Sequence, residues 1–144
     1  MSAEELVTLL YEQSGLLGVS GISGDMRTLI DSDDPRAAEA VDLFVYRIGR
    51  EIGSLAAAIG GLDTLVFSAG IGERSASIRA RICQGLGFLG IELDDGHNAA
   101  HAAVISAEAS RVTVRVIPTN EELMIARSVS RVLRLGRDTT EREP

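Results

Sequence analysis

The segment TLVFSAGIGERSASIRARICQGLG, residues 64–87, constrains the fold more than any other part of the sequence. Its first residues are β-branched and aromatic and are bounded by glycines, which predicts a buried strand. Apolar residues recur at helical spacing from Ile78 onward, and the preceding Ser75 can cap a helix. Between these two patterns, Gly70-Ile71-Gly72 predicts a tight turn. The order strand, glycine turn, helix is typical of α/β proteins.

Two segments before this motif have helical patterns. Residues 3–13 carry leucines close to helical spacing after Ser2, which can cap a helix. A longer helix is expected from Asp34-Pro35 to Gly60-Gly61, because the residue before a proline can cap and proline suits the first helical position. Its apolar stripe, residues 41–59, is expected to face a core or a partner subunit.

The remaining segments are less uniform. Residues 14–34 contain several glycines and no stable period, which predicts a loop that can include one short turn of helix and, at this length, a functional role. The alternating segment RVTVRVI, residues 111–117, predicts a second strand. Residues 121–135 predict a final helix after a Thr-Asn pair that can cap it. Residues 97–110 have no clear pattern.

Together these segments predict an α/β fold in which a sheet packs against helices. The chain has 144 residues, of which 45% are hydrophobic, enough for one domain with a real core. Residues 1–135 are assigned to this domain. The polar residues 136–144 are expected to form a disordered tail.

Composition disfavours several classes of partner. A net charge of −7 and an aromatic content of 3% argue against a nucleic-acid-binding protein, which needs a positive face and stacking side chains. The most apolar region, residues 52–72, is interrupted by Asp63 and by glycines, so no membrane span is expected. No signal-peptide pattern is present at the N-terminus. The single cysteine, Cys83, falls at an apolar helical position and is expected to be a buried, inert thiol. We therefore expect a soluble, cytoplasmic protein.

The glycine turn has two interpretations. A turn before a helix lets a ligand approach the backbone closely, and a helix start offers free N–H groups to an anion. The dinucleotide fingerprint needs a third glycine, however, where this chain has Ser75. The chain contains no lysine, so the Walker pattern is also excluded. From the residues alone, Gly70-Ile71-Gly72 is either a structural corner or a nucleotide contact.

Other candidate residues are equally open. Glu121 and the glutamate after it could bind a metal or could offset the dipole of the last helix. Asp25 and Arg27 could clamp a ligand or pair with each other. His97 and His101 have the i, i+4 spacing of a metal pair, but no third ligand lies near them in the sequence, which favours surface histidines.

Three stretches help to decide between these interpretations, because in order and spacing they resemble the C-terminal part of the acetate kinase family. They are SGLLGVSGISGDMR, VFSAGIGERSASIRARICQGLGFLGI and VIPTNEELMIAR. The resemblance extends over about residues 3–135. It implies the ribonuclease-H-like fold of the superfamily of acetate kinases, sugar kinases and actin-like ATPases. It also implies a homodimeric, magnesium-dependent phosphotransferase that interconverts ATP plus acetate with ADP plus acetyl phosphate.

The resemblance also implies a site. It assigns the nucleotide to Asp25-Met26-Arg27 and to Gly70-Ile71-Gly72-Glu73-Arg74, and it assigns Mg²⁺ to Glu121. Two residues depart from the family pattern Gly-Gly-Ile-Gly-Glu-Asn. Ala69 stands at its first glycine and Arg74 at its asparagine. Arg74 could place a cation near the nucleotide or extend into solvent.

The phosphate strand Asn-x-Gly-Ser-Ser-Ser and the residues that carry the family's chemistry have no counterpart in this sequence. The resemblance thus implies a partial domain that lacks the first domain and the early strands of the second, with no catalytic residue of its own. We expect it to be inactive alone and to form a homodimer or to bind an upstream fragment. The alternatives are a segment of a propionate or butyrate kinase, and a non-enzymatic nucleotide-binding or interaction module.

Overall fold

The computed structural model describes residues 1–133 and 135, so the expected tail at 136–144 lies outside the described residues. Four helices precede the first strand, and the second half of the described chain then has the order strand, helices, strand, helix expected for an α/β fold. The elements are α1 (Ala3–Glu12), α2 (Gly15–Ser20), α3 (Met26–Ile30), α4 (Pro35–Ala58), β1 (Thr64–Phe67), α5 (Ala69–Arg74), α6 (Ala76–Gln84), a 3-10 turn (Gly87–Leu89), α7 (Asp95–Ala99), β2 (Thr113–Val116) and α8 (Glu121–Leu133).

The expected helix starts are confirmed. Each cap is a local interaction, which is why the sequence predicts it. The Ser2 hydroxyl accepts from the Glu5 N–H at 3.2 Å, and the Glu5 carboxylate accepts from the Ser2 N–H. Asp34 caps α4 with Pro35 as its first residue. Ser75 caps α6, and Asn120 caps α8 by accepting from the Leu123 N–H at 2.8 Å. Each of these signals could be read from a few neighbouring residues.

The loop expected at residues 14–34 is wrong, since this segment contains the helices α2 and α3. Gly21 ends α2 in the left-handed region at φ 63°, which is where a glycine is favoured. Asp25 then caps α3, whose Met26 and Leu29 are buried against the long helix α4. The glycines obscure the helical period in the sequence, and tertiary burial of only a few apolar residues stabilises the short helices.

The tight turn expected at Gly70-Ile71-Gly72 is also wrong, because these residues lie inside the short helix α5. The unusual backbone conformation lies one residue earlier, at Ala69, the first residue of α5, which adopts a left-handed φ of 58°. That conformation is unfavourable for an L-residue with a Cβ. A glycine is therefore better suited than alanine to the backbone at this position.

The strands β1 and β2 are parallel and paired in register, from Thr64 opposite Thr113 to Phe67 opposite Val116. Beyond their ends, the Ile117 N–H donates to the Phe67 carbonyl at 2.9 Å. The segments that follow the two strands consequently leave the sheet at the same edge. This edge carries α5 after β1 and the start of α8 after β2.

Burial of the first strand differs from the expectation. Within β1 only Phe67 is buried, and Val66 is 46% exposed. In the described part of the chain, β1 pairs with β2 alone, so its other edge has no strand partner there. β2 is better protected, with Val114 and Val116 buried.

One core lies between α4, α6 and the sheet, and it is built mainly from Leu, Ile, Val and Ala. The apolar stripe of α4 faces this core from Val41 to Ile52, whereas Leu55 and Ile59 are exposed. The expected buried thiol is confirmed, since Cys83 is 3% exposed and burial raises its pKa to about 12. No helix in the described ranges is long and apolar enough to cross a membrane.

The largest fully buried side chain in the described structure is charged. Arg79, on α6, has no exposed surface. Its Nη1 donates to the carbonyls of Gly72 and Glu73, both at 2.9 Å, while its Nε and Nη2 donate to the side-chain and backbone oxygens of Asn98, both at 2.8 Å. Burial lowers the pKa of Arg79, although a guanidinium remains protonated. The guanidinium thus joins the end of α5 to α7.

Replacement of Arg79 by methionine is expected to destabilise the fold by roughly 3–5 kcal/mol, because the buried carbonyls lose their donors. Arg79→Lys should recover only part of this loss, since one ammonium group cannot reach both α5 and Asn98. Arg81→Met is the matched control, because Arg81 lies on the same helix in a surface ion pair with Asp42 and should contribute less than about 1 kcal/mol. Urea unfolding followed by circular dichroism measures all three, and an equal loss for Arg79→Met and Arg81→Met would contradict the assignment.

Ala69→Gly is expected to stabilise the fold by about 0.5–1 kcal/mol, because glycine adopts the left-handed φ of 58° without strain. Ala80→Gly, in the interior of α6, should have the opposite effect and cost about 1 kcal/mol. Thermal denaturation of both variants provides the comparison. A loss of stability in Ala69→Gly would show that residue 69 is not strained.

Candidate functional site

Two segments that are distant in sequence form one groove of about 640 Å³. Residues of α3 and its cap form one wall, and residues of α5 and the following serine form the other. The residues that line it are Gly24, Asp25, Met26, Arg27, Ile30, Gly70, Ile71, Arg74 and Ser75. The volume lies within the range of small-molecule sites. Six of the eight residues expected to contact a nucleotide are therefore on one surface.

The glycine Gly70 leaves the groove open. A Cβ atom at Gly70 would meet no other atom within 4 Å, so a side chain there would extend into free space. The Met26 side chain, by contrast, is 4% exposed and belongs to the core, so a ligand could reach mainly its backbone. Ile30 and Ile71 add apolar surface to walls that otherwise carry charge. The groove consequently offers a mixed surface with a close approach to the backbone of α5.

The two arginines of the groove differ in their partners. Arg27 pairs with Asp25, with Nη2 2.6 Å from Oδ2 and Nε 3.2 Å from Oδ1, which is the second of the two arrangements expected from the sequence. The Arg27 guanidinium holds the pKa of the Asp25 carboxyl below its usual range. Arg74, at the position of the family asparagine, is exposed on the opposite wall. The groove thus has a cation on each wall, and one of them is neutralised by its own neighbour.

The other two expected nucleotide residues, Gly72 and Glu73, face away from this groove. A Cβ atom at Gly72 would lie 3.5 Å from the carbonyl carbon of Phe67, at the end of β1. The Oε1 atom of Glu73 accepts from the Thr119 N–H at 2.8 Å and from the Thr119 hydroxyl at 3.0 Å. The Thr119 N–H is the main reason that the pKa of Glu73 lies below its usual value. Glu73 therefore joins α5 to the segment before α8.

Glu121, the expected magnesium ligand, is the first residue of α8 and lies two residues after Thr119. Its side chain is exposed, and it makes no hydrogen bond or ion pair within residues 1–133 and 135. The contact between Glu73 and Thr119 brings the start of α8 to the end of the helix that lines the groove. The Glu121 carboxylate is thus exposed at the start of α8, which the Thr119 contact joins to the end of α5.

His97 and His101 are the other residues with the spacing of metal ligands. The described ranges contain no group of three His, Cys, Asp or Glu residues that could hold a metal ion. His101 adopts a left-handed φ of 52°, and its Nδ1 lies 2.9 Å from the Glu73 carbonyl and 3.2 Å from Nη2 of Arg79. Its ring is partly fixed by the network at the end of α5, which the sequence did not predict.

The sequence does not predict the residues that hold the groove in place. Arg79 lies within the helical pattern that begins at Ile78, and Thr119 lies within the Thr-Asn pair that can cap the last helix, but neither pattern predicts their contacts. The one available signal for Arg79 was its place in the repeat, one residue after Ile78 and three before Ile82 on the buried side of α6. Its partners on α5 and α7 are set by the tertiary fold, so no local pattern could identify them.

Comparison with known proteins places this geometry in a family. The model of the acetokinase family matches residues 1–127. An acetate kinase from Rhodopseudomonas palustris (strain TIE-1) is 59% identical over 139 residues, which are 95% of this chain and 35% of the relative. An acetate kinase from Rhizobium meliloti is 58% identical over 127 residues, 88% of this chain and 32% of the relative. The chain spans about a third of the length of these curated relatives.

Solved structures of acetate and propionate kinases are also similar to this chain. The crystal structure of Porphyromonas gingivalis acetate kinase matches with a TM-score of 0.82 and 40% identity, covering 92% of this chain and 35% of that one. A propionate kinase from Francisella tularensis matches with a TM-score of 0.78 and 38% identity, covering 88% and 33%. These matches confirm the expected α/β fold of the actin-like ATPase type. The match covers about a third of each solved structure. The chain belongs to the acetokinase family.

Proposed function

We propose that this chain supplies the nucleotide and magnesium contacts of a phosphotransferase that interconverts ATP plus acetate with ADP plus acetyl phosphate. The observation that carries this proposal is the groove between α3 and α5, which brings Asp25, Arg27, Gly70 and Arg74 onto one surface. The names of the similar proteins give the reaction class, since they are acetate kinases.

Phosphoryl transfer requires the reactants to be positioned and the phosphate charge to be stabilised, and it does not require a nucleophile from the protein. The open backbone at Gly70 lets a nucleotide approach α5 closely. The Arg74 guanidinium can donate to phosphate oxygens or stack on a planar base. Arg27 is already oriented by Asp25, so little side-chain freedom is lost when a ligand binds next to it.

A magnesium ion fits the exposed carboxylate of Glu121. Mg²⁺ keeps several waters and takes one or two carboxylates together with phosphate oxygens, so a cluster of three protein ligands is not required. Bound with the nucleotide, it supplies neutralisation of the phosphate charge. Glu121 would hold it directly or through a water molecule, from the start of α8 that the contact between Thr119 and Glu73 joins to the end of α5.

The chain alone is expected to be inactive toward acetate, because phosphoryl transfer needs groups around the phosphate from both sides of a cleft. Exposed apolar residues of α1, α8 and the end of α4 favour either a homodimer or association with an upstream fragment. A cytoplasmic location fits the nucleotide substrate. No nucleic-acid partner is proposed for a chain with a net charge of −7.

A second acyl substrate has specific support. The propionate kinase from Francisella tularensis matches this chain almost as well as the acetate kinase structure does. Propionate is therefore the alternative acyl group for the complete enzyme. A nucleotide-binding module without any reaction would keep the groove but would show no acyl substrate at all.

Gly70→Leu is expected to weaken ADP binding about tenfold or more, because the added side chain extends into the groove, and tenfold corresponds to about 1.4 kcal/mol. Stability should be maintained, since the new Cβ meets no protein atom. Titration calorimetry with ADP and Mg²⁺ gives the affinities. Gly49→Leu on α4, which also has open space but lies outside this groove, is the matched control.

ADP binding that is equal in Gly70→Leu and in the unmodified chain would contradict the groove assignment. Failure of the unmodified chain to bind ADP would contradict the proposed nucleotide role of this chain.

Glu121→Gln is expected to lower the affinity for ADP in the presence of Mg²⁺ by about tenfold, with metal-free ADP binding little changed. A role limited to the helix dipole predicts instead a stability loss of about 0.3–1 kcal/mol with no magnesium dependence. Calorimetric titrations with and without Mg²⁺ separate the two roles. Glu122→Gln is the control, and the same magnesium enhancement in all three proteins would refute the metal role of Glu121.

A further inference from the structure

The side chain of Glu73 is occupied by a contact between two distant parts of the chain. Its Oε1 atom accepts both the N–H and the hydroxyl of Thr119, 46 residues away, at 2.8 and 3.0 Å. A carboxylate oxygen that receives two donors from one residue holds that residue in one orientation. We refer to this pair of hydrogen bonds as the Glu73–Thr119 clamp.

The clamp follows from the register of the sheet. Because β1 and β2 are parallel and paired residue for residue, the segments that follow them leave at the same edge. One segment is α5, whose Gly70, Ile71 and Arg74 line the groove. The other runs through Thr119 to the cap of α8 and to Glu121. The clamp is thus a side-chain contact between α5, which lines the groove with other residues, and the segment that leads into α8.

The two ends of the clamp are each fixed to the rest of the fold. The backbone of Glu73 is held from inside by Arg79, which donates to its carbonyl at 2.9 Å. Thr119 adjoins Asn120, which accepts from the Leu123 N–H and so fixes the first turn of α8. A displacement of α5 when a ligand enters the groove would be transmitted to α8 through the clamp.

From this geometry we infer that Glu73 is a positioning residue, which couples binding of a nucleoside diphosphate in the groove to the placement of Glu121 for a divalent cation. The inference rests on the proposed function, and it gives Glu73 a role other than direct contact with the nucleotide. A direct contact would require this carboxylate to leave Thr119 and to face the groove on the opposite side of α5.

The coupling is measured as the ratio of ADP affinities with and without Mg²⁺, by titration calorimetry on the full chain. Glu73→Ala should lower this ratio by about fivefold or more, the range of typical coupling between two sites, with metal-free ADP affinity within about twofold of the unmodified chain. Thr119→Val should lower the ratio by a smaller factor, because it keeps the N–H and loses the hydroxyl. Thr119→Ser should restore it, since serine again supplies both donors.

Two further measurements make the roles distinguishable. Glu51→Ala, an exposed carboxylate on α4, should leave the ratio unchanged. Amide hydrogen exchange in the absence of ligand should show faster exchange at Thr119 in Glu73→Ala than in the unmodified chain, because its N–H loses its acceptor.

The outcomes separate the inference from the proposed function. An unmodified chain that binds ADP more tightly with Mg²⁺, together with an unchanged ratio in Glu73→Ala, overturns the coupling and leaves the proposed function intact. A loss of metal-free ADP binding in Glu73→Ala overturns the positioning role in favour of direct contact. An unmodified chain without ADP binding or magnesium enhancement overturns both, and hydrogen exchange at Thr119 then shows whether the clamp exists as a purely structural contact.

Discussion

The groove depends on one buried guanidinium. Arg79 uses its donors on the carbonyls of Gly72 and Glu73, at the end of α5, and on the two oxygens of Asn98. None of its hydrogen-bond partners in the described ranges is a carboxylate, so its charge is balanced by oriented backbone dipoles. A cation at the C-terminal end of a helix is favoured by the helix dipole as well as by the hydrogen bonds. The position of α5 is therefore fixed by a charge inside the protein.

A second constraint is the register of the two strands. Their in-register pairing places two segments that are about fifty residues apart at one edge of the sheet, and the Ile117–Phe67 hydrogen bond continues the pairing beyond the strands. Side chains from both segments can then meet without a long loop between them. Glu73 and Thr119 meet in this way. A shift of one residue in the register would separate Glu73 from Thr119. It would also move each side chain of β2 to the opposite face of the sheet.

The sequence predicted those features that neighbouring residues determine. Ser2, Asp34 and Ser75 cap their helices as expected, and both strands lie within the predicted segments, because these signals act over three or four residues. The helices α2, α3 and α5 were missed, since helices of five or six residues are not stable by themselves and form through tertiary burial. For the candidate site, the family resemblance predicted the two segments that line the groove. The hydrogen bonds of Arg79 and the clamp could not be predicted, because their partners lie on other elements that only the tertiary fold brings together.

Because α5 is short, its folding and the binding of a ligand in the groove depend on the same contacts. A six-residue helix with a strained first residue has little stability of its own, so its geometry is set by Arg79 on the inside and by Thr119 on the outside. The same contacts that fold α5 therefore also shape the wall of the groove. A ligand that contacts Gly70 or Arg74 adds a third anchor to α5 and stabilises the folded state by mass action. Because the anchors lie on different elements, stabilisation by a ligand should extend from α5 to α6, α7 and the start of α8 rather than remain confined to the groove.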